Sequence, residues 1–187
     1  MQGFLFYCCL EKNSRRLIHS LTRQDERTSM TDESPTTALV IRLAAPEDTP
    51  QIEMLDRLSV SPTRDIHRDM EKYFGSVDPS THERTLIFLG EVEGAAVAKA
   101  ELMLPPGSGA GTTPGVGYIK RVVVHPDFRK QGLARQLIQH IIDVASAAEQ
   151  VVAIDLHVWE DNAAAIRLYK SLGFELQHRE LYFRLSL

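Results

Sequence analysis

The stretch that decides the fold runs Val122-Val123-Val124-His125-Pro126-Asp127-Phe128-Arg129-Lys130-Gln131-Gly132-Leu133-Ala134. Three consecutive valines suit a buried strand, and His125-Pro126 ends it, because proline has no N–H to give a ladder. A basic, glycine-containing turn follows. It opens directly into a run whose apolar residues Leu133, Leu137, Ile141 and Val144 share one face, which predicts a helix from about Gly132 to Ala148. The first four N–H groups of that helix have no internal acceptor, and together with the helix dipole they form an anion site. Gly132 lets a phosphate approach the backbone with no Cβ in the way. Small Ala134 keeps the first turn low, and Arg129 and Lys130 add charge-assisted contacts. A nucleoside-triphosphatase loop would need Gly-Lys-Ser/Thr after a spaced glycine, and a dinucleotide fingerprint would need Gly-x-Gly-x-x-Gly; neither pattern is present here.

Outward from the turn, the chain alternates strands and helices. Gly117 to Val124 and Val151 to Val158 read as strands flanking the helix, a crossover unit of right-handed sense. Upstream, Leu39 to Leu43 is a short strand. A helix from Pro46 to about Leu58 follows, with Asp48 as its cap and Ile52, Leu55 and Leu58 on one face. A second helix is expected between Pro62 and Gly75. Thr85 to Glu91 and Ala95 to Leu104 form a hairpin about Glu93-Gly94, and Pro105 to Pro114 is a Gly- and Pro-rich loop of the kind that carries function. Downstream, Asn162 to Leu172 is a helix stopped by Gly173. Phe174 to His178 and Leu181 to Leu187 are expected as closing strands, the latter with Leu181, Phe183, Leu185 and Leu187 on one face.

Bulk properties narrow the field. The 187 residues suffice for one domain with a sizeable core, 43% hydrophobic and 25% charged residues suit an ordinary globular chain, and a net charge of −4 gives no reason to expect nucleic acid as a partner. No apolar run approaches the roughly 20 residues of a membrane span. The only cysteines, Cys8 and Cys9, are adjacent. They suit a reducing compartment, hence a cytoplasmic location, and leave the main domain without a cysteine nucleophile. Residues 1–38 are expected to be a disordered extension, or a segment upstream of a true start at Met30. The arginines Arg15, Arg16, Arg23 and Arg27 suggest a targeting peptide, but Glu11, Asp25 and Glu26 count against it. The folded domain is placed at residues 39–187.

The segment around the turn resembles the GNAT superfamily of N-acetyltransferases. In that family the pyrophosphate turn reads Arg or Gln, two residues, Gly, one residue, then Gly or Ala; Arg129, Gly132 and Ala134 fill those places. A second signature supports the likeness: Leu156-His157-Val158, Asn162, Ala165-Ile166, Leu168-Tyr169 and Gly173-Phe174. The resemblance spans about Leu39 to Leu187 in element order and is specific from Tyr118 to Phe174. It implies an α/β fold with a mixed, strongly twisted sheet of about six to seven strands and helices on both faces. It further implies acetyl-CoA as acyl donor, a primary amine of a small molecule or peptide as acceptor, and direct attack in a ternary complex. No metal, nucleic acid or membrane partner is expected, and a homodimer is allowed for. A non-catalytic acyl-CoA-binding or sensing module on the same fold is the alternative.

The resemblance also distributes roles. Arg129, Lys130, Gln131, Gly132, Leu133 and Ala134 would hold the pyrophosphate. Val122, Val123 and Val124 would offer free backbone groups to pantetheine, like an edge accepting an added strand, and one of their N–H groups would polarise the thioester oxygen. Asn162 and Tyr169 lie on the helix face that meets the pantetheine arm, and Tyr169 would protonate the leaving thiolate. His157 stands where some relatives that acetylate protein N-termini carry a carboxylate acting as base through water, and histidine titrates in a range suited to that task. Tyr118 competes for the position, in Tyr118-Ile119-Lys120-Arg121, where many related sequences have Glu; solvent is the remaining proton acceptor.

Overall fold

Alternation of apolar side chains and tight turn chemistry build an antiparallel meander that hands over to a parallel strand. The computed structural model describes residues 38–59, 65–67, 72–107, 115–181 and 183–185, all within the unit Thr37–Leu187. Strands β1 (Val40–Leu43), β2 (Arg84–Val92), β3 (Ala95–Leu104), β4 (Gly115–Val124) and β5 (Val151–Leu156) form one five-stranded sheet in the order β1-β2-β3-β4-β5. The first four are antiparallel neighbours, and β5 runs parallel to β4. The β2–β3 hairpin turns at Glu93 (φ 52°) and Gly94 (φ 79°), two left-handed residues whose twist matches that of the flanking strands.

Helices cover both faces. Helix α1 (Thr49–Arg57) buries Ile52 and Leu55 against Ile87, Leu89 and Val123. Helix α2 (Leu133–Ser146) buries Leu137, Ile138, Ile141 and Ala145 against Phe88, Ala98, Ala100, Leu102 and Ile119 on the other face. Helix α3 (Ala163–Ser171) follows β5; its Leu168 and Tyr169 pack at the margin of the α2 core. The expected stop at Gly173 is present, with φ 92°.

Several expectations are corrected. Phe174 to His178 and the described part of Leu181 to Leu187 contain no strand, so the sheet has fewer strands than expected. Alternation alone does not make a strand without a ladder partner, and Leu181, Phe183 and Leu185 stand 78%, 86% and 84% exposed. Strand β5 ends at Leu156, so His157 and Val158 lie beyond it. Leu58 is exposed rather than part of the α1 stripe. Asp48 stands at the N-cap of α1 but caps no helical N–H; its carboxylate turns back to accept from Ala45 N at 2.8 Å and from both terminal nitrogens of Arg42 at 2.6 and 2.8 Å. The helix expected between Pro62 and Gly75 is described only at residues 65–67 and 72–75, the loop Pro105 to Pro114 only at 105–107, and the amino-terminal extension only at Ala38.

Candidate functional site

The turn after β4 is shaped by its backbone. Lys130 (φ 63°) and Gly132 (φ 79°) are both left-handed, and Gly132 is the N-cap of α2. A Cβ built on Gly132 would meet nothing within 4 Å, so the space over this helix start is open. Leu133 is buried with Val92 and Val97, which pins the first residue of α2 into the core and fixes the direction in which its N–H points. Arg129 Nε donates to the carbonyl of Val124 at 3.1 Å, tying the turn to the end of β4, and Gln131 Nε2 donates to the carbonyl of Asp127 at 3.3 Å. Arg129, Lys130, Gln131 and Gly132 are exposed, so the basic charge and the helix start face solvent together.

Strand β4 departs from its neighbours just before this turn. Against β3, Lys99 faces Val123 and Glu101 faces Lys120, so Ala100 alone stands opposite both Arg121 and Val122. The extra residue is a β-bulge, and Arg121 sits in it with φ 52°. Against β5, the register ends at Ile119 opposite Leu156, while β4 continues to Val124. Pairing with β5 therefore stops two residues before the bulge, where β5 itself ends. Val123 is buried beneath α1, and Val122 and Val124 pack at the margin of the α2 core.

Where the strands separate, Tyr118 and His157 meet. The Tyr118 hydroxyl and Nδ1 of His157 share a hydrogen bond across the β4–β5 junction. Burial pushes the Tyr118 hydroxyl up from its ordinary range; a hydrogen bond from the His157 backbone opposes this, and the charges of Asp155 and Glu180 add to it. A tyrosine held protonated has a proton to donate to this ring nitrogen. The ligand atoms of His157, His178 and Glu180 all lie within 4.8 Å of one another. The two residues that sequence reasoning set against each other are thus one hydrogen-bonded pair. His178 and Glu180 were missed, since no spacing rule links them to His157; only the path of the chain after α3 brings them in.

Helix α3 supplies the remaining candidates. Asn162 is its N-cap, and its Oδ1 accepts from the Ala165 N–H at 3.1 Å. That contact accounts for Asn162 by helix capping. Tyr169 lies two turns along, packed edge-on to Phe174 with ring centroids 6.0 Å apart. Burial raises its hydroxyl above the ordinary value, so it stays protonated, as a donor, at neutral pH. The loop Trp159 to Asn162 lines an open concavity between the end of β5 and α3.

Comparison with known proteins bears on this arrangement. Residues 51–174 match the model described as the Acetyltransferase (GNAT) family. The chain is 49% identical over 53 residues, 28% of its length and 35% of the relative's, to a ribosomal protein bS18-alanine N-acetyltransferase of Salmonella typhimurium. It is 31% identical over 124 residues, 63% of its length and 34% of the relative's, to a mycothiol acetyltransferase of Nocardiopsis dassonvillei. The matched stretches thus span about a third of the length of these curated relatives. Among solved structures, AAC(6')-Iy in complex with the bisubstrate analog CoA-S-monomethyl-acetylneamine shares the fold, with a TM-score of 0.63 at 18% identity, over 80% of this chain and 99% of that one.

Proposed function

The chain belongs to the GNAT acetyltransferase family, and on that premise we propose that it is an N-acetyltransferase that moves an acetyl group from acetyl-CoA to a primary amine by direct attack in a ternary complex. The observation that carries the reading is the succession of three features along β4 and the turn after it: the Tyr118–His157 pair, the end of the β4–β5 pairing at Ile119, and the open helix start at Gly132. The turn from Arg129 to Ala134 holds the cofactor's pyrophosphate through the N–H groups of the α2 start and the charges of Arg129 and Lys130. The backbone of Val122 to Val124 pairs with the pantetheine arm in the gap, and one N–H there polarises the thioester oxygen. Asn162 fixes the start of α3 and so the height of Tyr169 along it.

Protons then move as follows. The neutral amine attacks the thioester carbon, the C–S bond breaks, and the Tyr169 hydroxyl gives its proton to the departing thiolate sulfur. The amine's surplus proton passes to the Tyr118 oxygen as Tyr118 hands its own proton to Nδ1 of His157. The resulting imidazolium lies beside the Glu180 carboxylate. Solvent restores both groups. His157 is thus the final acceptor of a two-member relay. The relatives named as acetylating a ribosomal protein alanine and mycothiol support both peptide and small-molecule amines as acceptors. The test is a panel of peptide α-amines and small-molecule amines, with thiol release as the readout. Release that depends on one class of amine is expected. Equilibrium CoA binding with no release across the panel would contradict the enzyme and favour an acyl-CoA-binding module.

A further inference from the structure

Beneath the bulge of β4 lies a set of charges that the acyl-transfer reading does not use. Lys99 and Glu101 are adjacent on one face of β3 and have no exposed surface. The ammonium of Lys99 lies 2.6 Å from Asp56 Oδ1 and 2.8 Å from Glu101 Oε1. Asp56 comes from the last turn of α1, and the same oxygen lies 3.9 Å from Nη1 of Arg121, the bulge residue. Charges so deeply placed are a costly way to hold a helix on a sheet, because the penalty of removing them from water rivals their mutual attraction; apolar side chains of similar volume would serve as well. Arg121 also has a backbone conformation that side-chain-bearing residues seldom adopt, and such conformations persist only when the surroundings impose them.

The bulge has a definite consequence. Ile119 and Val122, three positions apart instead of two, both turn toward α2, while Val123 turns toward α1. Without the extra residue, Val122 and every residue after it would exchange faces. A bulged strand also bends, and the β4–β5 register ends at Ile119, two residues before Arg121. We propose that Asp56, Lys99 and Arg121 are positioning residues: the buried ion cluster clamps Arg121 in its left-handed conformation, fixes the bulge, and so aims the backbone groups of Val122 to Val124 into the gap between β4 and β5. The consequence for acyl transfer rests on the acetyl-CoA reading; the conformational claim does not.

Two substitutions at the bulge separate backbone from side chain. Arg121→Gly removes the guanidinium but adopts a left-handed conformation without cost, whereas β-branched Arg121→Val resists it. A third variant, Asp56→Ala, removes the clamp and leaves the bulge residue unchanged. Cα and Cβ chemical shifts of residues 121–123, measured on the full chain without ligand, report the conformation. Isothermal titration with CoA and with acetyl-CoA, and kcat and KM for acetyl-CoA, report its use. Arg121→Val and Asp56→Ala are expected to shift residue 121 toward extended values. They should also erase the preference for acetyl-CoA over CoA and lower kcat by about 10²-fold, as loss of one donor to a developing oxyanion does. CoA affinity should hold, since the pyrophosphate turn is untouched, and Arg121→Gly should keep the wild-type preference. Wild-type shifts at residues 121–123 in Asp56→Ala would overturn the clamp, and it decides the matter if Arg121→Val does not fold. Equal behaviour of Arg121→Gly and Arg121→Val would overturn the role of the backbone conformation. A wild-type chain that ignores CoA would sink the functional reading while the shifts still judge the clamp.

Discussion

At the scale of single residues, the proposed mechanism gives the proton traffic to two hydroxyls and one imidazole, and each can be removed with little change of volume. Tyr169→Phe deletes only the hydroxyl, so its packing on Phe174 should persist. Turnover should fall by about 10²-fold, within the range of general acid catalysis, with CoA affinity almost unmoved. Unchanged turnover would mean that the thiolate leaves unprotonated or that chemistry is not limiting. The pair Tyr118–His157 should behave as a unit. Tyr118→Phe and His157→Gln should each cost most of the activity near neutrality, and the double variant should cost hardly more than either alone, because residues acting through one another are not additive. The groups facing His157 include Tyr118, His178 and Glu180. The acidic limb of the rate profile should be present in the wild type and absent in His157→Gln. Two acceptors of different basicity separate this limb from the amine's own titration. A limb that follows the acceptor in both proteins would remove His157 from the mechanism. Of these residues, the sequence singles out Tyr169 and His157 through the second signature, and Tyr118 through its place before Ile119-Lys120-Arg121. Their pairing was not legible, because strand register across a parallel crossover leaves no local trace, and His178 and Glu180 were invisible for the same reason.

At the scale of elements, the β4 turn and the α2 start were read nearly to the residue, since an apolar strand, His125-Pro126, Gly132 and a helical stripe each carry a local signal. The β4 bulge was not read: Ile119-Lys120-Arg121-Val122-Val123-Val124 passes as a plain strand, and the extra residue shows only when β3 is laid beside it. The end of the chain was misread in the other direction, because alternation at Leu181, Phe183 and Leu185 has no partner strand among the described residues. Asp48 is a third case. It was read as a cap from residue type, but its carboxylate joins β1 to the start of α1 through Arg42, which also contacts Glu91 on β2. The Arg42 guanidinium holds the Asp48 carboxyl below the usual carboxylate range, against the opposing effect of burial. A carboxyl depressed on folding stabilises the native state above its unfolded value of about 3.9, and that contribution is lost as pH falls through the folded value. Asp48→Asn should therefore cost about 2 kcal/mol near neutrality, the worth of a charge-assisted contact, and the gap to the wild type should close as pH drops below about 4. Urea unfolding of both proteins across that range checks the sign. A gap that stays constant with pH would show that the carboxylate's charge is not what holds β1 to α1.

At the scale of the whole molecule, the meander β1 to β4 and the crossover β4–α2–β5 share β4, and along it and its turn lie a tyrosine–histidine pair, the end of the β4–β5 pairing and an open helix start. The turn proposed to hold the cofactor is built from consecutive residues, so its strand, turn and helix start were readable from the chain alone. The acceptor is named by no local pattern in the chain, and the fold alone does not name it. Everything proposed for the chemistry depends on the anion site at Arg129 to Ala134 being a CoA site. The most direct test is thermal unfolding of the full chain with and without CoA, beside the Gly132→Val variant. Ligand at about 100 times its dissociation constant should stabilise the wild type by about 2.7 kcal/mol and raise its melting temperature accordingly. Gly132→Val should unfold cooperatively without ligand and show no shift, because a branched side chain at a left-handed helix start closes the approach to the backbone. A wild-type melting temperature that ignores millimolar CoA would contradict the account at its centre.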